Sequence, residues 1–310
     1  MEQQPIVKIE NLSHRYSVQW AVKDIDLEIK THGVYGLLGS NGAGKSTIMN
    51  IMCGVLKQSN GKIYINGVDL KANPVEAKMQ IGFLPQRPPL HMDLTVEEYL
   101  TYAAHLRKIP ANEVATAVQE AMERCRITHF ANRLIRNLSG GYQQRVGIAQ
   151  SIIHKPALVV LDEPTNGLDP NQIVEIRNLV KDIAQEYTVI MSTHILSEVQ
   201  AACDYIFMIE HGTMVFNGTV DDFNNYITPD TLFLELKEAP STEELKAIPD
   251  VVGVEELGTG KYRVHFVDAH DLIQRIVKMS VEKEWNLTEI RIEKSSLDAI
   301  FADLSKKGKQ

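Results

Sequence analysis

The run Gly39-Ser40-Asn41-Gly42-Ala43-Gly44-Lys45-Ser46-Thr47 constrains this chain more than any other stretch. It fits G-x-x-x-x-G-K-[ST], with apolar Val34, Leu37 and Leu38 before it and an amphipathic run, Ile48, Ile51, Met52 and Val55, after it. A strand, a glycine loop and a helix in that order are the context in which such a loop cradles phosphate. Glycines at 39, 42 and 44 permit positive φ and let the backbone come close to a ligand. The freed amides form an anion nest at a helix N-terminus, where the dipole also favours negative charge. Lys45 then reaches the outer phosphates, and the Ser46 hydroxyl takes a place on Mg²⁺. A chance match in a glycine-rich turn is the competing reading, and the flanking pattern counts against it.

At 310 residues the chain exceeds one ordinary core, so two domains are expected. The net charge of −8 argues against a nucleic-acid partner held by phosphate contacts. Cys53, Cys125 and Cys203 cannot all pair, and each falls on the apolar side of an expected helix. Buried thiols in a reduced, cytosolic compartment follow. The opening Met1-Glu2-Gln3-Gln4-Pro5 is unlike a signal peptide. No apolar run nears the ~18 to 20 residues of a membrane-spanning helix, so work at a membrane implies docking on another subunit. The histidines show no HExxH or Cys/His spacing, and no protein-held transition metal is expected.

Along the chain, 6–10 and 22–29 alternate as half-buried strands at a sheet edge, with His14 to Ser17 between them. Tyr16 there reads two ways: as a packed aromatic, or as a ring stacked on a purine beside the phosphate loop. Residues 62–65, Asn66-Gly67 and 68–70 predict a hairpin. A buried strand at 80–84 ends in the proline-rich connector around Gln86. Thr95 and Glu98 make a capping box for one helix, and Val114 to Cys125 has helical spacing. The block of about 88–155 therefore reads as a helical lobe inserted in an α/β domain. Ser139 is the expected N-cap of a helix to Ile153, with Gly140 and Gly141 leaving its first amides bare. The buried run 158–161 ends in Asp162-Glu163, two carboxylates that are costly there without a cation such as Mg²⁺ beside them; a solvated pair is the alternative. Asn166 to Pro170 turns into a helix from Gln172 to about Glu186. His194 follows the strand 188–193, a usual place for a structural histidine but also the side on which such sheets bind ligands. A hairpin through Gly212 completes a first domain of 1–228. The remainder, 229–310, reads strand 231–237, helix 241–247, strands 251–257 and 261–267, helix 270–284, strand 287–293 and a last helix of about 295–306. That order is of ferredoxin-like α+β type.

The phosphate loop, Gln86, Leu138-Ser139-Gly140-Gly141-Tyr142-Gln143-Gln144-Arg145, the Asp162-Glu163 strand end, Gly167-Leu168-Asp169 and Ser192-Thr193-His194 together resemble the ATPase subunit of ABC transporters over about 5–220. The rest, ending in Ser296 to Phe301, is similar to the C-terminal extension of ATPases serving ABC-2-type exporters, with the gliding-motility type the most similar group. The resemblance implies that Tyr16 stacks on adenine and that residues 39–47 hold the phosphates of ATP. It implies that Asp162, Ser46 and Gln86 serve Mg²⁺, that Glu163 polarises water, that His194 meets the γ-phosphate and that Asp169 couples two sites. Ser139, Gly140 and Gly141 would close over the ATP of a second chain, identical or paralogous. Glu163, His194 and Gln86 form the implied catalytic set. The implied partner is an integral membrane permease, which would hold the chain on the cytoplasmic face of the inner membrane. Two other readings compete. One is an importer ATPase whose C-terminal domain senses a small molecule, although its first strand–helix loop, Lys237 to Ser241, lacks the glycine that such sites favour. The other is a soluble ABC ATPase, which mostly carries two motif sets or a coiled coil.

Overall fold

Alternation and turn chemistry set the first layer. The structure, a computed structural model, describes residues 4–226, 230–238, 240–267, 271–293, 300–301 and 304–306. The chain begins with β1 (Val7–Tyr16), β2 (Gln19–Ile29), β3 (Gly33–Leu38), α1 (Lys45–Met52), β4 (Asn60–Ile65) and β5 (Val68–Asp69). β1, β2, β4 and β5 make an antiparallel sheet in the order β2-β1-β4-β5. Asn66 (φ 48°) and Gly67 (φ 78°) both take positive φ between β4 and β5, as a tight primed turn requires. Only β2 is the edge strand that alternation led one to expect. β1 lies inside the sheet and runs on to Tyr16, so His14, Arg15 and Tyr16 are strand residues rather than a connecting loop.

After α2 (Pro74–Met79) and β6 (Ile81–Leu84) comes the helical lobe: α3 (Val96–Leu106), α4 (Val114–Arg124) and α5 (Gly140–Ile152). Thr95 caps α3 through a reciprocal box, accepting from the Glu98 amide at 3.2 Å while Glu98 accepts from the Thr95 amide at 2.8 Å. The chain then returns through β7 (Leu158–Asp162), α6 (Pro170–Ala184), β8 (Thr188–Thr193), α7 (Leu196–Ala202), β9 (Tyr205–Glu210), β10 (Thr213–Thr219) and α8 (Val220–Asn224). A second sheet has the order β10-β9-β3-β8-β7-β6, parallel from β9 to β6. Its β7 and β8 are buried along their whole length, which is why they read as unbroken apolar runs. Arg126–Asp182 (2.8 Å) and the buried Arg145 to Glu175 (2.7 Å) tie the lobe to α6, and Arg124–Glu186 (2.7 Å) ties it to the turn just after that helix. The three cysteines each stand at the residue that ends a helix, α1, α4 and α7, and all are buried and free.

The described residues divide into two compact units, one of 4–220 with 304–306, the other from Asp221 on. This division falls before the 228/229 boundary expected from composition and returns the last described residues to the first unit. The second unit holds β11 (Thr231–Leu236), α9 (Thr242–Lys246), β12 (Val251–Gly258), β13 (Lys261–Phe266), α10 (Leu272–Glu282) and β14 (Leu287–Glu293). Its antiparallel sheet has the order β12-β13-β11-β14, over a core of Leu232, Leu234, Tyr262, Val264 and Ile276. Most of the expected closing helix, with Ser296 to Ala299, lies outside the described residues, and so does Ala239. Among the described residues no helix is long and apolar enough to cross a membrane.

Candidate functional site

Three loops leave the carboxyl ends of adjacent parallel strands β3, β7 and β8, the place where open α/β sheets bind ligands. The first is the glycine loop. A Cβ on Gly39 would fall onto the Ile209 carbonyl oxygen, and one on Gly44 (φ 111°) would come within 2.7 Å of that of Ala21. Gly42 (φ 83°) has open space where its Cβ would be, on the cleft side. Gly44 is the N-cap of α1 and brings no side chain, so the first amides of that helix remain available to an anion. Lys45, itself buried, folds its ammonium back onto the carbonyls of Gly39 (2.8 Å) and Ser40 (3.0 Å). Burial lowers its pKa, and the nearby charges of Glu163, Asp162 and Glu210 oppose that shift.

The second loop begins where β7 ends. Asp162 is buried; its Oδ1 accepts from Ser192 Oγ at 2.5 Å and from Ser46 Oγ at 3.4 Å. Ser192 Oγ in turn accepts from the Glu163 amide at 2.9 Å. Glu163 takes φ +47°, a left-handed backbone that is rare for a side chain of this size and recurs where a catalytic group must be aimed. Its Oε2 accepts from Gln86 Nε2 (2.7 Å) and Asn166 Nδ2 (3.1 Å), and its Oε1 lies 3.1 Å from His194 Nδ1. The carboxylate is thus held from three sides. His194, on the third loop, meets this carboxylate, and Gln86 does so rather than Ser46 or Asp162.

A cleft of about 570 Å³ opens over these groups. Of the expected residues it brings together Tyr16, Asn41, Gly42, Gly44, Lys45, Ser46, Thr47, Gln86 and Glu163. Ser139, Gly140, Gly141 and Asp169 do not line it, nor do Gly39, Ser40, Ala43, Asp162 and His194. Ser139 is the N-cap of α5 as expected, but its side chain makes no capping bond, so the hydroxyl and the first amides stay uncommitted. Asp169 caps α6 instead, accepting from the amides of Asn171 and Gln172 at 3.0 Å each.

Sequence reasoning missed several residues that hold this geometry. Glu210, buried at the end of β9, accepts from the Ser40 amide and hydroxyl, both at 2.7 Å. Its signal was present: an acid ending an apolar strand, as at Asp162. Glu198, buried in α7, accepts from Thr165 Oγ1 and Thr193 Oγ1 at 2.7 Å each and so fixes the loops bearing Glu163 and His194. No sequence pattern marks it.

A family model described as ABC transporter matches residues 22–166. The chain is 36% identical over 212 residues to the bacitracin transport ATP-binding protein BcrA of Bacillus licheniformis, covering 68% of each chain. This chain belongs to the ABC transporter ATP-binding family. A second relative of the ABC ATPase is the linearmycin resistance ATP-binding protein LnrL of Bacillus subtilis strain 168, 28% identical over 305 residues, 97% of this chain and 98% of that protein. Among solved structures, the dimeric ATP-binding cassette MJ0796 in a post-hydrolysis state with ADP and Pi superposes with a TM-score of 0.62 at 26% identity, over 69% of this chain and 98% of that one. As an ABC ATPase the chain binds ATP, and its hydrolysis coupled to transport is the function of the family.

Proposed function

We propose that this ABC ATPase powers an ABC-2-type exporter, working as a head-to-tail pair in which each ATP is shared by two chains. One observation carries the paired reading. Ser139 and Gly140 are exposed at an uncapped helix start, yet they do not line the phosphate cleft of their own chain. A bare N-terminus suits an anion brought by a second copy. Closure would then depend on the γ-phosphate, and hydrolysis would loosen the pair.

Within one chain the glycine loop and Lys45 orient the triphosphate, and Tyr16 stacks on the base. Glu163 accepts the proton of the attacking water, while Gln86, Asn166 and His194 set the angle of its carboxylate. His194 passes from this contact toward the γ-phosphate as the site fills. Ser46 and Asp162 bring two oxygens within 3.4 Å of each other, a hard-donor set that fits Mg²⁺, with Gln86 the third candidate. Held by these residues, Mg²⁺ would supply charge neutralisation to the transferred phosphoryl group. Asp169 lies at the turn that would face the second chain.

Export is supported by the names of the two relatives, concerned with linearmycin resistance and bacitracin transport. The permease would dock near Gln86 and the segment 87–94 and hold the chain at the cytoplasmic face of the membrane. The second unit we read as ferredoxin-like, because its β-α-β-β-α-β order and the strand order β12-β13-β11-β14 fit that topology. Its role in this account is accessory.

The test is Glu163→Gln. The variant should bind ATP with unchanged affinity, turn over at least 100-fold more slowly and elute as a dimer with ATP. Normal turnover by this variant would remove Glu163 as the base, and a monomer with ATP would remove the paired site.

A further inference from the structure

A second cleft, of about 270 Å³, opens beside the C-terminal end of α1, and three exposed lysines, Lys57, Lys71 and Lys78, line it with no acid among the lining residues. That is an unusual concentration of positive charge in a chain of net charge −8. Two fixed loops build it. The first follows α1, which closes as a Schellman motif: the Val55 amide donates to the Asn50 carbonyl at 2.8 Å and the Gly54 amide to that of Ile51 at 2.9 Å. The second follows β5, where Asp69 Oδ1 accepts from the amides of Lys71 and Ala72 at 2.8 and 2.9 Å. Lys78, on α2, reaches across to the first loop, since a Cβ on Gly54 would fall onto its Cε.

A lysine beside the end of a helix ordinarily answers its unpaired carbonyls. Here the carbonyls of Met49, Asn50 and Ile51 already accept backbone amides, so the helix end does not call for a cation. Apolar surface accompanies the charge: Val55 lines the cleft and Val75 follows the lining Pro74, and they are 67% and 66% exposed. The cleft also has a defined neighbour. Arg107 donates from Nη1 to the Lys78 carbonyl at 3.1 Å, and the same arginine lines a separate groove with Pro89, His91 and Tyr99. The lysines therefore adjoin the segment 87–94.

We propose that this cleft and its lysines hold the headgroups of anionic phospholipids, so that the chain touches the bilayer surface directly, beside the permease. The choice of this side rests on the reading of 87–94 as the docking segment. Charge complementarity selects lipid: each basic residue close to an anionic leaflet strengthens partitioning about five-fold, and three together about a hundred-fold. Lysine is a compact, hydrated point charge without the planar fork of arginine, which suits a fluid array of phosphates better than one fixed carboxylate on a protein partner. The exposed valines are placed to enter the headgroup boundary. The competing account makes the three lysines an ordinary solvated face.

The experiment is flotation of the full chain, without nucleotide, on vesicles of phosphatidylcholine alone or mixed in equal parts with phosphatidylglycerol. Wild type should partition about a hundred-fold more strongly onto the anionic vesicles, and high salt should release it. Combined Lys57→Gln, Lys71→Gln and Lys78→Gln should abolish that preference, and the same three positions changed to Arg should keep it. A control combining Lys62→Gln, Lys181→Gln and Lys246→Gln removes as much charge from exposed positions that do not line the cleft, and should bind as wild type does. Equal partitioning of wild type onto both vesicles would overturn the proposal and leave the lysines to an acidic protein partner or to solvent. An equal loss in the control would overturn it too, because net charge alone would then explain binding. Release by inorganic phosphate, but not by sodium chloride of the same ionic strength, would mark a free-phosphate pocket and overturn the bilayer assignment. These vesicles contain no permease, so their result is independent of docking. The docking reading falls separately if the chain, taken from detergent-solubilised native membranes, purifies with no integral membrane protein.

Discussion

Glu210 offers the sharpest test of how the phosphate loop is held, because two short hydrogen bonds run from Ser40 to one buried carboxylate. The Ser40 amide and hydroxyl both reach it at 2.7 Å, within the range of charge-assisted bonds. Glu210→Ala removes the acceptor and strands both donors. An unsatisfied buried donor costs about 1 to 3 kcal/mol, so the loss should be about 3 kcal/mol for the first unit. Glu210→Gln behaves differently. Its amide oxygen still accepts from the Ser40 N–H, and its NH₂ can donate to the Ser40 hydroxyl, which also accepts. Only the charge assistance goes, at a cost of about 1 kcal/mol. Urea unfolding followed through Trp20, with Trp285 replaced by Phe, isolates the first unit from the second. An alanine variant within 0.5 kcal/mol of wild type, on the order of measurement error in such fits, would refute the reasoning. So would a glutamine variant as damaged as the alanine one.

Acid stability should depend on His154. Its Nε2 meets the Ile81 carbonyl at 3.1 Å, and burial together with the nearby Arg107 lowers its pKa from 6.5 to about 4. The unfolded chain then binds the proton more readily between those values. The stability that follows from the neutral ring is complete above about pH 6.5 and is lost as pH falls to 4, about 3 kcal/mol in all. His154→Gln, which keeps a donor but cannot titrate, should flatten the denaturation midpoint across that window; an unchanged pH profile would show that the ring is charged or exposed in the folded chain.

The elements legible in the sequence are those whose causes lie close together along the chain. The phosphate loop, the Thr95–Glu98 box, the Asn66-Gly67 turn and the fully apolar β7 and β8 each declare themselves within a few residues. The second unit was readable for the same reason, since periods of 2 and 3.6 alternate cleanly from Thr231 to Glu293. What stayed hidden depends on pairing across distance. The Ser40–Glu210 contact spans 170 positions: an acid ending an apolar strand marks Glu210 locally, but nothing local names its partner. Glu198 looks like one more polar residue on a helix until Thr165 and Thr193 converge on it. The hairpin tip misled differently: a bulged β1, with shifts near Leu12 and His14, breaks the alternation that would have carried the strand through to Tyr16.

Most directly, the account requires that Ser139 of one chain closes on the phosphate loop of another. Burial pushes the Cys125 thiol up to about 12 and raises those of Cys53 and Cys203 as well, so the native cysteines are silent in oxidative cross-linking. Exposed Asn41 and Ser139 give the two reporters. A Glu163→Gln chain carrying Asn41→Cys is mixed with one carrying Ser139→Cys and oxidised with or without ATP. The account predicts a disulfide-linked dimer of unlike chains that forms only with ATP. A mixture that stays monomeric with ATP, or that cross-links equally without it, would contradict it.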